Sequence, residues 1–173
     1  MAICILLTLG PSNAFAQNQP TSEYQLKAAF IYNFTRFVDW PANAFSSSDG
    51  PFVIGVLGDE RFSTYIEELV KGEKLGGRSI SVQRYGAGQI GRCNILFVSG
   101  TEASKIKNQL PGLNRRGTLT VSDASNFAKW GGIIRFFKEE NKLRLQINID
   151  EAKSSQLTIS SKLLSLSKIY SAN

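Results

Sequence analysis

The chain contains no histidine. That absence removes the commonest zinc ligand, the usual general base near neutral pH and every nucleophile that an imidazole activates. Cysteine is almost as scarce: only Cys4 and Cys93 occur in 173 residues. Cys4 falls in a segment expected to be removed, so the mature chain is left without an internal disulfide and Cys93 reads as a buried free thiol. The longest N-terminal apolar run, Ile3 to Leu9, is far short of the roughly 20 residues a membrane-spanning helix needs. The G-x-S-x-G and Walker patterns are missing too. Taken together these absences argue against an enzyme and give no reason to expect a cofactor or a metal.

What is present suits one ordinary globular domain, since 173 residues at 42% hydrophobic content can bury a core without staples. The first sixteen residues, MAICILLTLGPSNAFA, carry no charge and end in Ala14-Phe15-Ala16, the small-x-small pattern of a signal-peptidase site. The expectation is a signal peptide over 1–16 and an exported domain over 17–173. Lysine and arginine exceed aspartate and glutamate by 20 to 14. These cations are dispersed along the chain without the basic stripe and interleaved aromatics of a nucleic-acid binder, so no nucleic acid is expected. A solvated basic surface is the plain reading, and an anionic partner or membrane headgroups the sharper one.

Periodicity gives the order of elements. Ser22 to Gln25 has capping-box spacing, which predicts a helix from near Glu23 to Trp40, before Pro41. Phe52 to Leu57 reads as a buried strand, followed by Gly58-Asp59 and a helix with Phe62, Ile66 and Leu69 on one face. Ser79 to Tyr85 alternates as a strand, Asn94 to Ser99 is another apolar run, and a helix from Glu102 to Leu110 should stop at Pro111-Gly112. Thr118 to Val121 continues the sheet, after which Asp123 is placed to cap a short helix containing Phe127 that Gly131-Gly132 breaks. Ile133 to Phe137 and Leu143 to Ile149 flank a charged turn as a half-buried antiparallel hairpin. Asp150-Glu151 open a short helix, and Leu163, Leu164, Leu166 and Ile169 suggest a last helical stripe. The fold class is therefore α/β: a single domain with a mixed, mostly parallel sheet, an antiparallel hairpin near the C-terminus and flanking helices.

Candidate sites follow from that layout. Gly86 to Gly91, GAGQIG, matches the dinucleotide fingerprint in letters only, because a strand and not a helix is expected after it. In open α/β sheets ligands bind beyond the carboxyl ends of parallel strands, which here places Asp59, Ser99, Ser122 and Asp123 as candidate ligand-binding residues, although each also suits a cap or turn. On the first helix Lys27 falls among aromatic and aliphatic positions, where an ammonium must reach the rim or meet a carboxylate.

The run YQLKAAFIYNFTRFVDWP resembles the opening of the YfiR-like family of exported bacterial proteins. The likeness continues through FVIGVLGD, CNILFVS, LTVSD, GGIIRFF, LQINID and LTISSKLLSLS, across nearly all of the mature chain. The resemblance implies a periplasmic regulator that represses a membrane-bound diguanylate cyclase, lowering cyclic di-GMP and biofilm formation. Its partner would be the periplasmic domain of that cyclase, with Lys27, Asn33 and Arg36 on the flank of the first helix as candidate contacts, and a homodimer is a further state open to it. The other reading is a periplasmic small-molecule-binding module that reports to another membrane sensor or transporter. Many relatives carry a cysteine where this chain has Gly55, opposite one matching Cys93, so whether the redox control implied for the family survives here is left open by the resemblance.

Overall fold

Helix α1 spans Ser22–Phe37 in the computed structural model, which describes residues 22–171. The expected signal peptide and the cap at the start of α1 lie outside the described residues and side chains. The helix buries Ala28, Ile31 and Phe34, with Lys27 and Thr35 on the same face, and leaves Leu26, Ala29, Asn33 and Arg36 to solvent. It stops at Phe37, three residues before the predicted end at Trp40. Val38–Asp39 instead form β1, paired antiparallel with β9 much later in the chain (Val38↔Ile159), and Ser160 N donates to Phe37 O at 2.9 Å. Pro41 biases Trp40 away from helical backbone, and a β-branched residue at 38 accepts the strand.

A 3-10 turn at Ala42–Ala44 leads into β2 (Phe52–Leu57), α2 (Glu60–Leu69), β3 (Lys74–Leu75), β4 (Arg78–Tyr85) and β5 (Ile95–Val98). The chain goes on through α3 (Ala103–Ile106), a 3-10 turn at Lys107–Gln109, α4 (Leu110–Asn114), β6 (Leu119–Ser122), a 3-10 turn at Ala128–Trp130, β7 (Ile134–Glu139) and β8 (Lys142–Ile147). It closes with α5 (Ile149–Ser154), β9 (Thr158–Ile159), α6 (Ser161–Ser165) and β10 (Ser167–Ile169). The main sheet runs β10-β8-β7-β6-β5-β2-β4-β3. Strands β4, β2, β5, β6 and β7 are parallel, and β7–β8 is the expected antiparallel hairpin, turned by Glu140 and Asn141 at φ 49° and 59°. The mixed, mostly parallel α/β architecture read from the sequence is the one adopted.

Two cores sandwich the sheet. On one face Ile31, Phe34, Phe62 and Ile66 from α1 and α2 meet Ile54, Ile95, Val121 and Phe136. On the other, Ile106, Leu110, Leu113 and Phe127 cover Leu57, Leu96 and Val98. Burial on this scale is the main stabilising term, at about 25 cal/mol per Å² of apolar surface removed from water.

Several local expectations need correction. Pro111-Gly112 does not end the third helix but sits inside α4, where proline in the first turn forfeits no hydrogen bond. Leu69 is 39% exposed and Val70 takes its place inward. The last stripe is not one helix: α6 ends at Ser165, β10 follows, and Leu166 is 68% and Ile169 46% exposed. The GAGQIG segment is a loop with no helix after it, and a side chain at Gly86 or Gly88 would meet nothing within 4 Å, so these glycines serve no close approach.

Cys93 is free and 2% exposed, and burial pushes its thiol up to about 12. Gly55 pairs in register with Leu96, and a Cβ there would lie 2.6 Å from the Tyr85 ring, which fills the space. Cys93→Ser should lower stability by only about 1 kcal/mol, the cost of seating a hydroxyl in an apolar site. Thermal melts of the wild type and the variant should be the same with and without a reductant, and a reductant-dependent shift in the wild type would refute the free-thiol assignment.

Candidate functional site at the carboxyl edge of the sheet

From β2 the chain crosses outward to β4, then returns past β2 to β5 and proceeds the other way, so the strand order reverses between β2 and β5. Helix–strand loops diverge at such a point and leave a crevice beyond the strand ends. Gly58 makes the turn out of β2 at φ +88°, and a Cβ there would fall 2.6 Å from Ser99 Oγ and 2.2 Å from Glu102 Cγ, so the two loops are pressed together. Asp59 caps α2 by accepting from Phe62 N at 2.9 Å, and its other oxygen accepts from Tyr24 Oη on α1 at 2.7 Å. Ser99 Oγ lies 3.0 Å from Thr101 Oγ1.

One strand further on, Ser122 is fully buried and its hydroxyl accepts from Ala124 N at 3.1 Å. Asp123, expected as that cap, instead turns toward α1. Its Oδ2 accepts from Lys27 Nζ at 2.5 Å, while Oδ1 is buried without a partner among the described residues, above Gly100. Lys27 is 4% exposed, and its second carboxylate is Glu23 at 2.7 Å, one helical turn back. Glu23 also holds Lys138 from the β7–β8 hairpin at 2.7 Å. The result is a row of alternating charge, Lys138–Glu23–Lys27–Asp123, that ties α1, the loop after β6 and the hairpin together. It lines a groove of about 210 Å³ floored by Phe136, Phe137 and Leu143.

Electrostatics follow from these contacts. Burial pulls the Lys27 ammonium down, but the hydrogen bonds and charges of Asp123 and Glu23 outweigh it and hold the group above its ordinary range. Glu23 is held below the usual carboxylate range by its hydrogen bonds to Lys138 and Lys27. The hydrogen bond to Asp59 raises the Tyr24 phenol. Within the row Lys27 meets two carboxylates and Glu23 two ammonium groups, which fixes α1 against the hairpin and the loop after β6.

The ligand-binding candidates Asp59, Ser99, Ser122 and Asp123 thus line up along one edge of the sheet, and the fold brings Lys27 to the last of them. Asn33 and Arg36 lie on the solvent face of α1 instead. Arg36 covers the Tyr32 ring at 5.3 Å and donates to its hydroxyl at 3.2 Å, and Tyr32 in turn donates to Glu73 Oε2 at 2.5 Å. Glu23, Tyr24 and Lys138 were missed in the sequence. The i, i+4 spacing of Glu23 and Lys27 was a readable signal; nothing local marks Lys138.

Residues 24–168 match the model of the family described as YfiR/HmsC-like. No curated protein matches the chain. Among solved structures, a conserved domain protein from Vibrio cholerae O1 biovar El Tor superposes with a TM-score of 0.54 at 14% identity, over 84% of this chain and 59% of that one. The likeness concerns fold, and the chain spans little more than half of that neighbour's length.

Proposed function

The chain belongs to the YfiR/HmsC-like family, and from that premise we propose that it is a periplasmic, non-catalytic regulator, exported by a signal peptide over 1–16, that binds the periplasmic domain of an inner-membrane diguanylate cyclase and restrains it. Cyclic di-GMP and biofilm formation fall while the complex stands. No described helix is long and apolar enough to cross a membrane, so on this reading the membrane component is the partner. The observation that supports it is the outer face of α1: Leu26, 49% exposed, lies beside Ala29, Asn33 and Arg36, a small apolar centre with polar and cationic neighbours.

Arg36→Glu tests the reading. The side chain is exposed and, among the described residues, its hydrogen bond and its cation–π contact are both with Tyr32, so the thermal melt should move little. Reversing a rim charge should weaken capture of the cyclase's periplasmic domain by about tenfold and raise cyclic di-GMP in cells. Wild-type capture by Arg36→Glu, Asn33→Ala and Leu26→Ala alike would remove α1 from the interface. A second reading, a module that binds a small molecule beyond the strand ends, draws on the unpartnered Asp123 Oδ1 at the crevice.

A further inference from the structure

The opposite, amino edge of the sheet carries a different chemistry. Arg92 precedes β5 and Arg115-Arg116 precede β6. The register of those strands (Ile95↔Leu119), with Thr118 Oγ1 donating to Cys93 O at 2.8 Å and Leu119 N donating to Asn94 O at 2.8 Å, brings the segments that carry Arg92 and Arg115-Arg116 to the same edge. Gly117 turns the chain there at φ +71°, against Pro41 and Ala44, and Arg92 donates to Asn43 O in the same loop. Arg78, at the amino end of β4, covers the Phe45 ring at 4.3 Å. Cations dispersed in sequence are thereby gathered in space.

None of these arginines has a carboxylate within ion-pair distance among the described residues, whereas Glu23, Glu67, Glu68, Glu102 and Glu139 are each paired elsewhere. Asp39, Asp49 and Asp150 on that edge are exposed and make no ion pair with these arginines, and Glu151 is half-buried and accepts from Asn114 Nδ2 at 3.1 Å. Two half-buried tryptophans lie at the same edge, one on each face of the sheet. Trp40 donates to Asn94 O at 3.1 Å, and Trp130 adjoins Gly131, whose carbonyl accepts from Asn114 Nδ2 at 2.9 Å. Guanidinium groups pair bidentately with phosphate, and tryptophan favours the boundary between headgroup and water.

We infer that this edge, centred on Arg92, Arg115 and Arg116 and flanked by Trp40 and Trp130, is a docking surface for the anionic phospholipid headgroups of a bilayer. An exposed protein acid would satisfy the charges but gives no use to the aromatic rim. The crevice at the carboxyl edge then faces away from the membrane. This inference does not depend on which protein is the regulatory partner.

The test is co-sedimentation of the purified chain with vesicles of phosphatidylcholine containing phosphatidylglycerol, and with phosphatidylcholine alone. Binding is expected only to the anionic vesicles and should weaken as salt is added. Each headgroup-facing cation contributes about fivefold, so Arg92→Gln/Arg115→Gln/Arg116→Gln should lower partitioning on the order of a hundredfold. Arg61→Gln/Lys105→Gln/Lys142→Gln, which removes equal charge from other exposed positions, should stay within about threefold of wild type. All six side chains are exposed, so melts should agree, and any single arginine substitution still reports if the triple variant is unstable. No binding to anionic vesicles, equal loss in both triple variants, or retention on a polyglutamate matrix without vesicle binding would each overturn the inference.

Discussion

Lys27→Ala is expected to lower unfolding free energy by about 2–4 kcal/mol, a large share of a domain's margin. The wild-type ammonium is 4% exposed and meets Asp123 at 2.5 Å and Glu23 at 2.7 Å. Removing it leaves two carboxylates facing each other and a gap under α1. The side chains of Asp123 and Glu23 are 30% and 35% exposed, so both regain some water, which keeps the loss below that for a sealed pair. Lys27→Met combined with Asp123→Asn should recover at least half of the deficit by removing the uncompensated charge while keeping the stem's packing. Urea midpoints at an unchanged m-value report the difference. A loss under about 0.5 kcal/mol for Lys27→Ala would mean that the row of charge is a surface decoration.

Acidity should act on the same row. Glu23 is depressed in the fold, first by Lys138 and then by Lys27, so its contribution is present above the ordinary value of 4.5 and is lost as pH falls through the lower folded value. Lys27 is raised, so its contribution is full below 10.5 and lost only as pH climbs past the folded value. Between those limits the contributions of Glu23 and Lys27 should be insensitive to pH, and this pair is not a switch near neutrality.

Lys27 also shows what the sequence could and could not convey. Its place on the core face of α1 follows from helical periodicity, and the need for a carboxylate follows from desolvation. The identity of that carboxylate does not, because Asp123 lies 96 residues away and its local signal was that of a helix cap. The same limit explains the C-terminal misreading: Leu163, Leu166 and Ile169 recur at near-helical spacing, but pairing of β10 with β8 (Ser167↔Leu145) outweighs three residues of weak helix preference. The β7–β8 hairpin was legible because strict alternation at Leu143, Leu145 and Ile147 needs no partner to be recognised. The arginine edge was invisible, since only the pairing of β5 with β6 brings Arg92 and Arg116 to the same edge.

Gly131-Gly132 was legible as a break, yet the two glycines are needed for different reasons, and Gly132→Ala should be the more damaging change. Gly131 ends the 3-10 turn at φ 92° and tolerates little beyond glycine or asparagine. Gly132 has no such constraint. A Cβ there would fall 2.2 Å from Phe127 Cδ1 and Cε1 and 2.7 Å from Cγ, inside any contact that survives without movement. Phe127 cannot swing aside easily: it is fully buried in the second core, and Gly132 N donates to its carbonyl at 2.9 Å, pinning the two residues together. Relief requires either an off-rotamer ring or a shifted backbone, and a buried aromatic in a well-packed core makes this about 3 kcal/mol or more. A backbone shift would carry further, because Ile133 N donates to Thr120 Oγ1 at 3.1 Å and Val121 pairs with Ile134, contacts that set how the β7–β8 hairpin registers against β6. That hairpin delivers Lys138 to Glu23, so a slipped register would also open the charged row against α1. Phe127→Leu/Gly132→Ala should therefore be more stable than Gly132→Ala alone, since the smaller side chain vacates the space the new methyl enters. If the double variant is no better than the sum of the single losses, the damage lies in backbone conformation at 132 and not in the contact with Phe127.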